Sequence, residues 1–291
     1  MRRILITGAA GMLGRDLVKA CGLAGLDTVA LTHAELDIAD AQAVETAMRA
    51  AAPDLAVNCA AWTDVDGAES APDRALVVNG AGAGNVARSA NGCGAWTIHI
   101  SSDYVFDGSK AEPYVESDPT NPASAYGRSK LAGEMEVAEN APDRHTVVRS
   151  SWLFGLHGRC FPDTILRLAS ERQELSVVDD QVGCPTFTGH LAAGIVAVVQ
   201  GAPPPGILHL AGAGSCSWFE LATRVVELGG VQCRVTPART EDMPRPAPRP
   251  AHSALVSERP DAPQLPNWHQ GIEDYMAART SAARHESEVG V

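Results

Sequence analysis

The stretch Ile4-Leu5-Ile6-Thr7-Gly8-Ala9-Ala10-Gly11-Met12-Leu13-Gly14 decides the fold. A short β-branched run ends at Thr7-Gly8, and a pattern of 3.6 period takes over from Met12 to Cys21. A strand that turns through glycines into a helix brings backbone N–H groups and the positive end of a helix dipole to one point. Gly8 permits the tight turn, Gly11 lets the backbone approach a pyrophosphate, and Gly14 lets the helix pack close to the sheet. A glycine-rich turn with no ligand is the competing reading. The position directly after the first strand favours a dinucleotide.

Outward from this turn, strands and helices alternate. Strands are expected at Thr28–Leu31, Leu55–Cys59, Trp96–Ile100 and Thr146–Val148, with helices at Ala41–Ala52, Ala75–Ser89 and Tyr126–Glu139. Short apolar strands between helices imply a doubly wound parallel sheet covered on both faces, a Rossmann-type α/β fold over residues 1–151. After Trp152 the texture changes, with prolines at 203–205 and between Pro244 and Pro250. Helices at about 161–171, 188–200 and 217–228, with strands at 175–178 and 207–210, suggest a smaller mixed α/β substrate-binding lobe over 152–280. That lobe can return segments to the first domain. The polar residues 281–291 are expected to form a flexible tail.

The composition, 45% hydrophobic and 20% charged over 291 residues, is that of a globular chain with a sizeable core. No apolar stretch approaches the ~20 residues of a membrane span, and no signal peptide is read. Seven cysteines without a C-x-x-C pair read as free thiols of a cytoplasmic protein, not as zinc ligands. A net charge of −12 argues against a nucleic-acid partner. It leaves room for a phosphorylated small molecule, because a few local arginines can hold a diphosphate.

Tyr126-Gly127-Arg128-Ser129-Lys130 places a phenol and an amine four residues apart, on one face of a helix. With only four tyrosines and three lysines (Lys19, Lys110, Lys130), this spacing is informative. A nearby ammonium is expected to lower the tyrosine's pKa, and the phenol can protonate a carbonyl oxygen as hydride arrives at carbon. Ile100-Ser101-Ser102-Asp103-Tyr104 ends a strand upstream. Carboxyl ends of parallel strands line the ligand crevice, so Ser102 can hydrogen-bond the substrate oxygen. The competing readings are a casual surface pair and a turn-capping serine. The second strand ends at Leu31-Thr32-His33, without the acid that would select NADH or the arginine that would select NADPH, so both stay open. Asp37 and Ile38 can flank the adenine, though Asp37 also suits a cap for the helix from Ala41.

The glycine spacing G-x-x-G-x-x-G is that of the short-chain dehydrogenases. Five further segments narrow the resemblance: 57–69 (VNCAAWTDVDGAE), Ser102-Asp103-Tyr104-Val105-Phe106-Asp107-Gly108, Arg149-Ser150-Ser151-Trp152, 180–186 (DQVGCPT) and Arg249-Pro250-Ala251-His252-Ser253. In this order, over roughly residues 3–280, the chain resembles the dTDP-4-dehydrorhamnose reductases, an extended short-chain dehydrogenase family. The resemblance implies that NADH or NADPH reduces the C4 ketone of dTDP-6-deoxy-L-lyxo-4-hexulose to dTDP-L-rhamnose. It also implies the site. Gly8, Gly11, Met12, Leu13 and Gly14 would hold the pyrophosphate, Asp37 and Ile38 would lie near the adenine, and Ala61, Trp62 and Thr63 would line the cofactor channel. Ser102, Asp103 and Tyr104 would meet the sugar, with Tyr126 the proton donor and Lys130 on the nicotinamide ribose. Trp152 would pack against the sugar, and Arg249 would reach the nucleotide end.

The family usually has threonine where Ser102 stands, which keeps the hydroxyl and removes a methyl. Some members dimerise through a metal held by glutamates. Asp16 occupies one such position and the others are not placed, so no metal is assigned; a homodimer stays open as the partner state. His99, His190 and His209 lie on apolar runs and read as core or edge histidines, not ligands. Two other functions fit the pattern: a sister 4-ketoreductase on a dTDP-deoxysugar of secondary metabolism, and a non-catalytic regulatory subunit of a methionine adenosyltransferase.

Overall fold

The computed structural model describes residues 2–201 and 205–289, with 283–289 described by backbone alone. In chain order the first part contains β1 (Arg3–Thr7), α1 (Met12–Leu23), β2 (Asp27–Leu31), α2 (Ala41–Ala51), β3 (Leu55–Asn58), α3 (Val65–Ser70), α4 (Pro72–Leu76), α5 (Gly82–Gly92), β4 (Trp96–Ser102), α6 (Ala125–Asn140) and β5 (His145–Ser150). There follow β6 (Leu153–Phe154), α7 (Phe161–Glu171), β7 (Glu174–Val178), β8 (Val182–Gly183), β9 (Thr186–Phe187), α8 (Thr188–Gln200), β10 (Gly206–His209), β11 (Cys216–Ser217), α9 (Trp218–Gly229), β12 (Arg234–Ala238) and α10 (Trp268–Val289).

Six strands form one sheet in the order β10-β5-β4-β3-β1-β2, all parallel. Its strands read as continuous apolar runs because both faces are covered. In β1, Ile4 and Ile6 enter the core beneath α1 and α8, while Leu5 between them enters the core beneath α2 and α5. The order reverses between β1 and β3, and there the carboxyl ends of the strands open a crevice.

The expected helix Ala75–Ser89 is broken. Pro72 starts α4, and a single π-helical turn, Val77–Ala81, separates it from α5. The strand expected at 207–210 is β10, and it extends the large sheet beside β5. Helix α8 covers the same sheet through Leu191, Ala192 and Ile195, packed with Leu13 and Leu17 of α1. A second core joins α7, α9 and α10 through Ile165, Leu166, Leu221, Val225, Ile272 and Tyr275. The run from Thr280 has helical backbone to Val289, as alanine and glutamate favour. Residues 290–291 lie outside the described residues, as do Pro203 and Pro204.

Candidate active site

The cofactor cradle is built by β1 and α1. Gly8 has φ +66°, and a Cβ there would meet the Ala60 backbone nitrogen at 2.6 Å. On Gly14 a Cβ would meet the Gly8 carbonyl oxygen at 2.3 Å, so α1 packs hard against the turn. At Gly11, the α1 N-cap, no side chain satisfies the first N–H groups of the helix. The N–H groups of Met12 and Leu13 therefore open at the switch point with the helix dipole behind them, which fits a pyrophosphate. The Met12 side chain extends to the second core, and Leu13 is buried.

Asp37 is exposed and accepts the Ala39 N–H, while Asp40 caps α2 through the N–H groups of Gln42 and Ala43. The capping role considered for Asp37 thus belongs to Asp40. Ile38 points into the core against Gly82, and its carbonyl accepts from Asn85. Ala61, Trp62 and Thr63 follow β3 on the other side of the switch point. The Trp62 indole donates to the Asp64 carbonyl and lies under the Arg74 guanidinium.

Ser102 ends β4, and Asp103–Val105 form a 3-10 turn. Helix α6 starts at the Ser124 cap, which accepts the Gly127 N–H. A Cβ on Gly127 would lie 2.2 Å from the Tyr104 carbonyl oxygen. Glycine there lets α6 press against the end of β4, and the Ser102 hydroxyl meets the Tyr126 phenol. The rings of Tyr104 and Tyr126 meet edge to face at 5.4 Å.

Tyr126 and Lys130 are 9% and 2% exposed. Lys130 Nζ donates to the Ile100 carbonyl at 2.7 Å. The expectation that Lys130 lowers the Tyr126 value does not hold in this site. Burial pushes the phenol up to about 12, against the downward pull of Ser102. Burial also draws Lys130 down to about 8, with Glu134 acting the other way. The pair is a protonated phenol beside an amine poised near neutrality, and a protonated phenol is what a general acid requires.

Asp103, 2% exposed, accepts from Ser102 Oγ at 2.9 Å and from Ser151 Oγ at 3.1 Å. Burial raises it to about 6, with the hydroxyls of Ser253, Ser102 and Ser151 pulling it down. Trp152, next to Ser151, has φ +47° and stacks on Trp218 at 3.5 Å, so one face of the ring is covered by protein. The two indoles border a cleft of about 230 Å³ with Phe161 and Arg159. Arg249 does not stand free. It pairs with Asp66 of α3 at 3.0 Å and donates to the Ala247 carbonyl.

Asn79, in the π turn, was not singled out by sequence. Its side chain accepts the Trp62 N–H at 2.8 Å and donates to the Trp62 carbonyl at 3.0 Å and to Ser129 Oγ at 2.9 Å. Ser129 in turn donates to the Tyr126 carbonyl. One amide thus ties the cofactor channel to the catalytic helix. Its signal was a lone polar residue inside the run Leu76-Val77-Val78-Asn79. Glu134 was missed too. It holds Arg149 bidentately at 2.9 and 2.7 Å and accepts from Ser101, all buried. Of the histidines, His190 pairs with Asp274, while His99 and His209 bind through Nδ1 and leave Nε2 without a protein partner. Asp16 accepts from Thr188, and among the described residues no group of three or more His, Cys, Asp or Glu is gathered for a metal.

The model of the RmlD substrate binding domain matches residues 1–281. The dTDP-4-dehydrorhamnose reductase of Mycolicibacterium smegmatis is 42% identical, over 97% of this chain and 87% of its own. A dTDP-4-keto-6-deoxy-D-glucose reductase of Streptomyces niveus is 43% identical, over 87% and 88%. The crystal structure of dTDP-4-dehydrorhamnose reductase from Bacillus anthracis in complex with NADP superposes with a TM-score of 0.92 at 36% identity, covering 95% of this chain and 99% of that one. With a family model spanning nearly its whole length and relatives above 40% identity, the chain belongs to the dTDP-4-dehydrorhamnose reductase family.

Proposed function

We propose that the protein reduces the C4 ketone of a dTDP-6-deoxy-4-hexulose, converting dTDP-4-dehydrorhamnose to dTDP-L-rhamnose with NADPH or NADH. The observation that carries this reading is the meeting of Ser102, Tyr126 and Lys130 at the end of β4, beside the crevice that the glycine turn opens. The reduced nicotinamide supplies a hydride to C4. Tyr126, kept protonated by burial, gives its proton to the carbonyl oxygen, while Ser102 holds that oxygen in place. Lys130 grips the ribose. Asp103, Tyr104 and Trp152 surround the sugar, and Arg249 serves the nucleotide end. No helix among the described residues is long and apolar enough to cross a membrane, and we place the enzyme with its nucleotide-sugar pool in the cytoplasm.

Incubation with synthetic dTDP-4-keto-6-deoxy sugars and each reduced nicotinamide tests the assignment. Loss of nicotinamide absorbance and an NMR spectrum of dTDP-L-rhamnose are expected. No oxidation with any such sugar would remove the assignment. A product epimeric at C4, or a preference for another 4-keto sugar, would instead favour a sister ketoreductase. The Streptomyces niveus relative and the serine at 102 support that second reading.

A further inference from the structure

Ser102 has one proton to give. An ionised Asp103 only accepts, so that proton goes to its Oδ1 at 2.9 Å. The serine oxygen then accepts from the Tyr104 N–H at 3.2 Å, and with its one proton committed to Asp103 it can meet the Tyr126 phenol only as an acceptor, without the donation that draws the phenol down. In that arrangement Ser102 cannot donate to a ketone oxygen; it presents a second acceptor to it. A proton on Asp103 reverses the bond. The carboxylic acid donates to Ser102 Oγ, and the serine proton is released toward the substrate. The other carboxyl oxygen keeps Ser151.

We propose that Asp103 is a positioning residue whose proton sets the direction of the Ser102 hydrogen bond, and that the protonated form is the one competent for ketone reduction. This rests on the proposed ketone reduction and adds to it a device for admitting the substrate oxygen. The groups around Asp103 leave it to titrate alone. Tyr104 of its own turn, Tyr126 of α6 and Cys184 after β8 feel its charge, and all three are neutral because burial pushes them up, the last two to about 12. The nearby cations are occupied: Lys130 faces the Ile100 carbonyl and Arg249 faces Asp66. Burial of Asp103 among hydroxyls places its titration at about 6.

The test is the pH profile of single-turnover reduction of the dTDP-4-keto sugar by the full chain. For the unmodified protein the rate should be level below about pH 6 and fall ~tenfold per unit above it, since a folded-state acid loses its proton there. Asp103→Asn carries a permanent donor toward Ser102 and an acceptor for Ser151, so this limb should vanish whatever the absolute rate. Ser151→Ala removes a bond to the ionised form and should move the limb to higher pH. A fall unchanged in Asp103→Asn would overturn the proposal. If that variant does not fold, a limb unmoved in Ser151→Ala overturns it instead. Turnover without these pH effects sinks this inference alone, whereas no turnover of any dTDP-4-keto-6-deoxy sugar at any pH sinks the function on which it rests.

Discussion

At Tyr126 two influences compete, and burial prevails over the Ser102 hydroxyl. A phenol held up to about 12 does not leave its proton to water, yet it can pass it to an alkoxide forming against it. Tyr126→Phe keeps the ring and its edge-to-face contact with Tyr104 while deleting the proton. We expect kcat to fall by ~10²–10⁴ with cofactor affinity unchanged in a fluorescence titration. Turnover at the unmodified rate would place the donor elsewhere. Lys130 brings a second pH effect of opposite chemical type. Its amine, lowered to about 8 by burial, is charged below that pH and neutral above it. Cofactor Kd should therefore stay level around pH 6–7 and weaken as pH rises past about 8. Lys130→Ala should bind the cofactor more weakly, react more slowly and lose this dependence. Equal affinity in both proteins would separate Lys130 from the ribose. The tyrosine–lysine spacing was legible in the sequence because a helix period alone fixes it. The dominance of burial at Tyr126 was not, since it depends on how closely α6 packs against the end of β4, which Gly127 decides.

Among the elements, the π turn between α4 and α5 has the widest reach. One residue more than an α-helical turn accommodates turns Asn79 inward, where its amide holds both backbone groups of Trp62 and the hydroxyl between Tyr126 and Lys130. Asn79→Ala would orphan those partners in a buried place. At ~1–3 kcal/mol for a buried group left unpaired, we expect a loss of about 2–3 kcal/mol in urea unfolding, together with weaker cofactor binding. Normal stability with normal cofactor affinity would show that water replaces the amide at no cost. The strands and helices around this turn follow from apolar period and were readable. The π turn was not, because its cause is a set of partners at residues 62 and 129. For the same reason the Glu134–Arg149 pair was invisible: it joins a helix to a strand that the sequence does not show to be neighbours. The place of β10 at the sheet edge is another such case. A four-residue run at 206–209 satisfies a small lobe as well as a large sheet, and only the packing of α8 on α1 brings it beside β5.

At the scale of the whole molecule, the segment after β12 returns to the first part of the chain and crosses α3. Its backbone is fixed by Tyr114 N–H to Ala254, His252 N–H to Gly108 and Ser253 N–H to Val182. Arg249 is thereby carried to the mouth of the site, where Asp66 holds it at 3.0 Å. The pair is partly exposed, so it contributes about 1 kcal/mol or less to stability and can be exchanged for another anion. Burial pushes Asp66 up, but hydrogen bonds from Arg249 and Ala247 keep it below the usual carboxylate range. Two roles for Arg249 predict different results. If it only ties the segment to α3, Arg249→Ala and Asp66→Asn should have the same effect. If it leaves Asp66 for the diphosphate of the nucleotide sugar, the two should differ. We expect the second outcome. Arg249→Ala should raise KM for the nucleotide sugar about tenfold, the ~1.4 kcal/mol expected when a charge-assisted bond is lost. Asp66→Asn should leave KM unchanged or lower it, because it removes the competing anion while the backbone bonds keep the segment in place. Cofactor affinity, measured alongside, should not move in either variant. A shared rise in KM would assign Arg249 to the tie, and an effect confined to cofactor binding would assign it to the other ligand.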